Sequence, residues 1–242
     1  MLELFDKKKK RRFIMRRRRR RNVFGVWITV LVIVFVLSIF GLFFWKISSI
    51  KNSPEFGEDV KSQYLFIDKD NNEGYYIVIN GSMRTVNVIK LKNHVYNSEL
   101  KKEINFSSPV LSLEVLKEMF SLDVVYSYYS VLDSVKIVKL SEKYGKRYEN
   151  FGELLKYLTT RGLKLFDYFS FDGVLKMLRP ETTLTSPSFA KLIDALGRFS
   201  VRIKDIPTIT EKPLEIKVGN KTLERLYIDL EKLNQLKQEL GG

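Results

Sequence analysis

An uncharged run of 23 residues, Val23–Trp45, restricts what this chain can fold into more than any other feature, because 19 of these residues are apolar. As an α-helix the run would be roughly 35 Å long, against a bilayer hydrocarbon core of about 30 Å. Trp27 and the aromatic cluster Phe43–Trp45 lie near its ends, where aromatic rings favour the lipid headgroups. A cleaved signal peptide has a shorter apolar run followed by small residues, and the first Ala here is Ala190. The run therefore predicts a retained transmembrane helix.

Basic residues are concentrated before this run. Residues 1–22 contain 12 Lys or Arg and two acidic residues, whereas Lys46 and Lys51 are the only basic residues within about ten positions after Trp45. The positive-inside rule predicts a single-pass protein of the cytoplasmic (inner) membrane, with a cytoplasmic tail and an extracytoplasmic C-terminal part. The tail either determines this topology alone or also contacts anionic lipid headgroups or RNA. The remaining residues carry 30 basic and 26 acidic groups, so we expect no nucleic-acid binding by the folded part.

Residue types that many enzymes need are missing from the sequence. The chain has no Cys and a single His, His94. This excludes disulfide frameworks and thiol catalysis, and it excludes His-rich metal sites and His-based triads unless His94 serves. The glycine-rich nucleotide loops, the nucleophile elbow, the HExxH zinc motif and the EF-hand loop are also absent from the sequence. The enzyme classes that depend on these residues and motifs are therefore excluded.

Residues 46–61 are polar, contain Pro54 and Gly57, and predict a linker between the membrane helix and a domain at 62–242. Within the domain, segments of strand composition alternate with segments of helical period, which predicts a mixed α/β fold with helices on both faces of a sheet (α/β/α). The predicted strands are Tyr64–Asp68, Tyr75–Asn80, Thr85–Leu91, Val124–Val131, Val201–Ile203 and Leu214–Val218. Asn80-Gly81 between the second and third strands predicts an antiparallel hairpin.

Capping signals predict where several helices begin. Asn150 is the expected N-cap of a helix ending at Arg161, with Glu153 completing a capping box. Ser186 followed by Pro187 predicts a second helix start. The other predicted helices run over about 111–122, 132–144, 170–179 and, after the cap Asp229, through Leu230, Leu233, Leu236 and Leu240.

Two clusters of polar or aromatic residues have both a functional and a structural interpretation. Asp68 and Asp70, followed by Asn71, Asn72 and Glu73, are candidate oxygen ligands for a hard cation, whereas a solvated turn is the alternative. The tyrosines Tyr126, Tyr128 and Tyr129 are typical either of an apolar ligand groove or of a strand buried in the core.

The order of these segments resembles a known family. Tyr64–Asp70, Tyr75–Leu91, Leu111–Gly145 and Ile206–Leu240 are together similar to the domain of LytR-CpsA-Psr envelope proteins. The resemblance implies a short cytoplasmic tail, one transmembrane helix and an extracytoplasmic α/β/α domain. It further implies transfer of cell-wall glycopolymers from a polyprenyl pyrophosphate carrier to peptidoglycan, with Mg²⁺ as cofactor and the lipid tail in an apolar groove.

The sequence departs from the family pattern where that chemistry would occur. The family's Pro-Arg-Asp step, whose Arg contacts the pyrophosphate, corresponds here to Leu91-Lys92-Asn93-His94, and an Arg-x-Asp step is reduced to the turn Asp70–Glu73. A pyrophosphate needs several cationic donors, and bidentate Arg is the usual one. Asp70 and Lys92 remain the catalytic candidates. Lys92, Arg147 and Arg161 are the candidates for lipid or pyrophosphate binding; for each Arg, as for Arg179 and Arg198, a solvated position is the alternative.

Three functional hypotheses follow. The first is a membrane-anchored envelope protein that binds a polyprenyl-phosphate lipid, a glycan or an envelope protein without the full set of transferase residues. The second is a scaffold of the division or wall-synthesis machinery, and the third is an active transferase with Mg²⁺ bound at Asp68 and Asp70. The scarcity of Gln, the absence of Cys and the abundance of Lys and Glu resemble the composition of proteins from thermophilic bacteria.

Overall fold

A computed structural model describes residues 2–57, 59–218 and 221–239, and it divides the chain into two compact units, Met1–Ser49 and Ile50–Gly242. The described residues of the first unit all belong to helix α1 (Leu2–Lys51). The segment Gly25–Lys51 of this helix contains an 18-residue window with a mean hydropathy of 2.9 and is long and apolar enough to cross a membrane, which indicates a membrane anchor. Helix α1 continues six residues past Trp45, and a 3₁₀ helix occupies Pro54–Phe56, so the segment predicted as a linker is partly helical.

The second unit is a mixed α/β domain, as predicted. A five-stranded sheet has the order β6-β1-β2-β3-β7, and a four-stranded sheet has the order β5-β4-β9-β8. The strands are β1 Lys61–Asp68, β2 Glu73–Asn80, β3 Thr85–Lys92, β4 Val95–Asn97, β5 Lys102–Ile104, β6 Tyr126–Leu132, β7 Ser200–Asp205, β8 Leu214–Val218 and β9 Lys221–Tyr227. The helices are α2 Pro109–Met119, α3 Ser134–Lys143, α4 Phe151–Arg161, α5 Asp167–Leu178, α6 Ser186–Arg198 and α7 Leu230–Glu239.

The hairpin predicted at Asn80-Gly81 is confirmed. Strands β2 and β3 pair antiparallel with Asn80 opposite Thr85. The side chain of Asn80 accepts a hydrogen bond from the backbone N–H of Met83 at 3.2 Å, and Arg84 adopts a left-handed conformation with φ 50°. These features close the chain reversal with the register that the apolar pattern requires.

The central strands are buried on both faces, which explains their nearly continuous apolar sequences. On one face, Leu65, Tyr76 and Ile89 pack in a core with α2, α7 and part of the second sheet. On the other face, Phe66 stacks on Phe151 of α4 with ring centroids 4.6 Å apart.

The tyrosines of β6 are partly in the core. Tyr128 is buried and stacks on Tyr64 with ring centroids 5.3 Å apart. Tyr129 is only partly buried and packs against the core of the opposite face. Of the two interpretations of these tyrosines, a ligand groove or a buried strand, the buried strand therefore applies to Tyr128.

Two of the predicted helix caps form differently in the structure. Asn150 caps α4 by accepting a hydrogen bond from the N–H of Gly152 at 2.7 Å, and not through the expected pairing with Glu153. Thr185, not Ser186, is the N-cap of α6, because Thr185 and Ser188 have the spacing that lets each side chain bond the other's backbone N–H.

The terminal helix begins as predicted. The N–H of Lys232 donates to the side chain of Asp229 at 3.2 Å, and Leu233 and Leu236 of α7 are buried. The predicted apolar position Leu240 lies outside the described residues.

Candidate functional site

One edge of the five-stranded sheet gathers the polar residues singled out in the sequence. Strands β1, β3, β6 and β7 are mutually parallel, so their C-terminal ends meet at this edge, which we call the carboxyl edge. The strand register places Leu132, Asp68, Glu73 and Lys92 side by side along it. The N-termini of α3 and α4 adjoin the same edge, since Ser134 and Phe151 bond to Asp70 and Asp68. Ligands of open α/β sheets commonly bind beyond the carboxyl ends of the strands.

Asp68 is fully buried at the end of β1 and is used to hold the fold together. Its Oδ1 accepts a hydrogen bond from the N–H of Asn71 at 3.2 Å. Its Oδ2 accepts from the Asn71 side-chain amide at 2.9 Å and from the N–H of Phe151 at 3.2 Å. Both carboxylate oxygens therefore face N–H donors, and the residue joins the turn after β1 to the first turn of α4.

Asp70 is exposed and lies beside the start of α3. Its Oδ2 accepts hydrogen bonds from the backbone N–H of Ser134, at 2.8 Å, and from the Ser134 hydroxyl. These two bonds hold the pKa of the Asp70 carboxyl below its usual range. Asp133 caps the same helix by accepting from the N–H of Lys136 at 2.7 Å. Two carboxylates thus lie where the helix dipole favours negative charge.

Glu73, one of the candidate oxygen ligands, also belongs to this site. Its carboxylate accepts a hydrogen bond from the Tyr75 hydroxyl at 2.7 Å and forms an ion pair with Lys90 at 2.7 Å. Partial burial acts to raise the pKa of Glu73, but the bonds from Lys90 and Tyr75 outweigh it and leave the pKa below the usual range. Burial, with the bond to Glu73, raises the pKa of Tyr75. The register of the predicted hairpin could have indicated the ion pair between Glu73 and Lys90, because it makes Lys90 the diagonal neighbour of Glu73.

The cationic candidates do not converge on the carboxyl edge. Lys92 lies at this edge, and its Nζ donates to the backbone oxygen of Glu211 at 3.0 Å. Arg147 is exposed in the segment between α3 and α4. Arg161 ends α4, whose first residue bonds to Asp68, so a helix of roughly 15 Å separates it from this carboxylate.

Arg161 is part of a nearly buried ion pair. Its guanidinium donates to both carboxylate oxygens of Asp167, at 2.6 and 2.7 Å, and it lies 4.7 Å from the ring centre of Tyr144. The bond to Asp167 raises the pKa of Arg161, so the side chain stays charged. Of the two arginines for which a solvated position was also expected, Arg179 is exposed and Arg198 pairs with Asp194 on the surface of α6.

The donor set at the carboxyl edge does not fit the magnesium ion that the family resemblance implies. The oxygens of Asp68 face N–H donors, and Asp70 bonds to Ser134. The described part of the chain contains no group of three or more His, Cys, Asp or Glu side chains arranged to hold a metal ion. A hard cation needs carboxylate oxygens that are not already committed to hydrogen-bond donors.

Comparison with known proteins supports the fold. No protein-family model and no curated protein matches the chain. Among solved structures, the Lin1025 protein from Listeria innocua matches with a TM-score of 0.53 and 12% identity, covering 75% of this chain and 97% of that one. The domain shares the fold of Lin1025. TagT from B. subtilis matches with a TM-score of 0.41 and 14% identity over 78% of this chain and 91% of that one.

Proposed function

We propose that this chain is a membrane-anchored envelope protein whose LytR-CpsA-Psr-like domain binds a polyprenyl-phosphate lipid, a glycan or an envelope protein without transferring glycopolymer. The segment order, the fold shared with Lin1025 and the apolar helix support this assignment. The basic tail supports an N-terminus in the cytoplasm and a domain outside the cytoplasmic membrane of a bacterium.

The pairing of charges at the carboxyl edge is the observation that supports a loss of transferase activity. Each lysine there is engaged within the domain: Lys90 by Glu73, Lys92 by the Glu211 carbonyl, and both Lys69 and Lys136 by Glu181. Among the described residues, five carboxylates lie beside these four ammonium groups: Asp68, Asp70, Glu73, Asp133 and Glu181.

A pyrophosphate would bind poorly to such a surface. It would have to displace internal carboxylates from the lysines, and it would meet the repulsion of the remaining ones. Single lysines also lack the paired donors with which Arg holds phosphate oxygens. The carboxyl edge therefore resembles a closed polar network more than a site for phosphoryl transfer.

A transfer assay on the purified full-length chain tests this proposal. The substrates are a polyprenyl-pyrophosphate-linked glycopolymer and peptidoglycan, and an active enzyme of the family is the positive control. We expect no product, while native mass spectrometry of the same preparation tests for a copurifying carrier lipid or glycan. Product that disappears in the Asp68→Asn variant would overturn the proposal in favour of an active enzyme.

The scaffold function is the second candidate, and an exposed apolar cluster favours it. Leu165, Phe166 and Phe169, around the first turn of α5, are 54%, 76% and 44% exposed. Contiguous exposed apolar side chains commonly mark contact surfaces for other molecules. A photo-crosslinking residue at Phe166 should capture an envelope protein, whereas the same residue at Lys217, an exposed position on β8, should not. Equal capture at both positions would remove the support for a scaffold.

A further inference from the structure

A cavity of about 520 Å³ lies at the end of the domain where β1 and β3 begin, which we call the amino edge. The chain reversal Gly81–Arg84 forms one wall, and the second half of α6 forms another. The segment Phe56–Gly57 and the last residue of α1, Lys51, also line the cavity. The cavity is at the opposite end of the strands from the carboxyl edge, so it is a separate site.

Cationic side chains predominate in the lining of this cavity. Lys51, Arg84, Lys191 and Arg198 face two carboxylates, Asp59 and Asp194. Asp194 is already paired with Arg198, with 3.1 Å between the charged atoms. In the part of the chain that the structure describes, no hydrogen bond or ion pair engages the side chain of Lys51 or of Arg84. Among the described residues that line it, the cavity therefore has an excess of positive charge and two cations that remain available for a ligand.

The walls that carry these charges are held in place. Lys191 is 3% exposed, and its Nζ donates to the backbone oxygens of Gly57 at 2.7 Å and Phe56 at 3.3 Å. The backbone of Arg84 is fixed on both sides: its N–H donates to the Gly81 oxygen at 3.1 Å, and its oxygen accepts from the N–H of Ser200 at 3.0 Å. A preorganised cationic site loses less conformational entropy when an anion binds.

The position of the cavity along the chain indicates the class of ligand. Lys51 follows Trp45, the last residue of the apolar run, by six residues of the same helix, an advance of about 9 Å. Basic residues at this distance from a membrane span lie within reach of lipid headgroups, and the negative charge of an anionic headgroup attracts them. We propose that this cavity binds the phosphate of an anionic phospholipid headgroup, with Arg84 and Lys51 as its principal donors. This site is independent of the ligand proposed above.

The test uses the full-length chain in nanodiscs of phosphatidylcholine, with and without phosphatidylglycerol. Hydrogen exchange is followed by mass spectrometry in the peptides that contain residues 80–84 and 191–199. We expect exchange in these peptides to slow by about tenfold when the headgroup is present at roughly ten times its Kd. The effect should disappear in Arg84→Gln and weaken in Lys51→Gln, and it should persist in Lys217→Gln, an exposed position on β8.

Two further comparisons complete the experiment. All variants should show equal exchange in phosphatidylcholine alone, which separates loss of binding from loss of structure. Slowing produced by soluble glycerol phosphate in phosphatidylcholine discs would support a phosphate site but assign it to a soluble ligand. No slowing in either arm, or equal slowing in Arg84→Gln and in the unaltered chain, would overturn the proposal.

Discussion

Replacement of Arg161 by Leu tests whether this residue stabilises the fold or serves a ligand. In the structure, the side chains of Arg161 and Asp167 are only 9% and 7% exposed and share two hydrogen bonds. Without the guanidinium, the Asp167 carboxylate keeps one bond, from the backbone N–H of Lys164 at 2.8 Å. A nearly buried negative charge would then be left without its counter-charge.

The expected cost follows from that geometry. Removing one partner of a buried ion pair destabilises a protein by about 3–5 kcal/mol. Because Asp167 retains the bond from Lys164, we expect the lower end of this range, about 3 kcal/mol. With a urea m-value of about 2 kcal/mol/M for a domain of this size, the unfolding midpoint should fall by about 1.5 M.

Urea unfolding of the full-length chain in detergent measures this shift through the near-ultraviolet circular dichroism of tyrosine, since both tryptophans lie in the apolar run. Arg147→Leu is the matched control, because Arg147 is exposed, and it should change the free energy of unfolding by less than about 0.5 kcal/mol. The double variant Arg161→Leu/Asp167→Leu should recover most of the loss, because a buried pair can be replaced by apolar side chains at little cost. Equal midpoints for Arg161→Leu and Arg147→Leu would refute the reasoning.

Three further predictions address packing, electrostatics and topology. A Cβ at Gly197 would lie 2.4 Å from the Cα of Gly162, so Gly197→Ala should lower the free energy of unfolding by about 1–3 kcal/mol in the same urea assay. Gly173 has open space around it, so the control Gly173→Ala should raise the free energy of unfolding by about 0.5–1 kcal/mol. Because the folded pKa of Asp70 is lowered, its ionised form stabilises the protein at neutral pH, and this contribution disappears as the pH falls below about 4. Thermal midpoints should therefore be lower for Asp70→Asn than for the unaltered chain at pH 7 and should converge in acid; a constant difference would contradict this origin. A Cys appended to the C-terminus of this Cys-free chain should react with a membrane-impermeant maleimide in intact cells, and one appended to the N-terminus should not; the reverse pattern would show the opposite orientation.

Local sequence patterns predicted most of the secondary structure. The hairpin β2–β3, the helices α2 to α6 and the cap at Asp229 occur within a few residues of their predicted places, because each depends on contacts between neighbours in the chain. Strands β4 and β5 were not predicted, since three residues each carry too little periodicity to be recognised. Strand β9 was missed because its charged sequence, KTLERLY, does not alternate clearly.

At the candidate site, the positions of the polar residues could be predicted from the sequence, but their partners could not. The sequence placed Asp68, Asp70 and Lys92 at or just after the ends of predicted strands, and the mixed sheet brings the C-terminal ends of β1 and β3 to one edge. The partners of these residues were not predictable, because Asp68 bonds to Phe151 and Lys92 to Glu211, which are 83 and 119 positions away. Arg161 was a ligand candidate by charge alone, and only the fold of the loop after α4 shows its carboxylate partner.

The sequence by itself determined the apolar helix, the charge asymmetry around it, the alternation of strands and helices, and the lack of an arginine where the family resemblance expects one. These properties depend on composition and on spacings of two to four residues. The tertiary structure alone decided which charges are neutralised and which are available. It pairs the lysines at the carboxyl edge with carboxylates or a carbonyl. Among the residues it describes, it leaves Arg84 and Lys51 unpaired in the cavity at the amino edge. Pairing of charges depends on distances in space, which chain order does not fix until the sheet and its helices have packed.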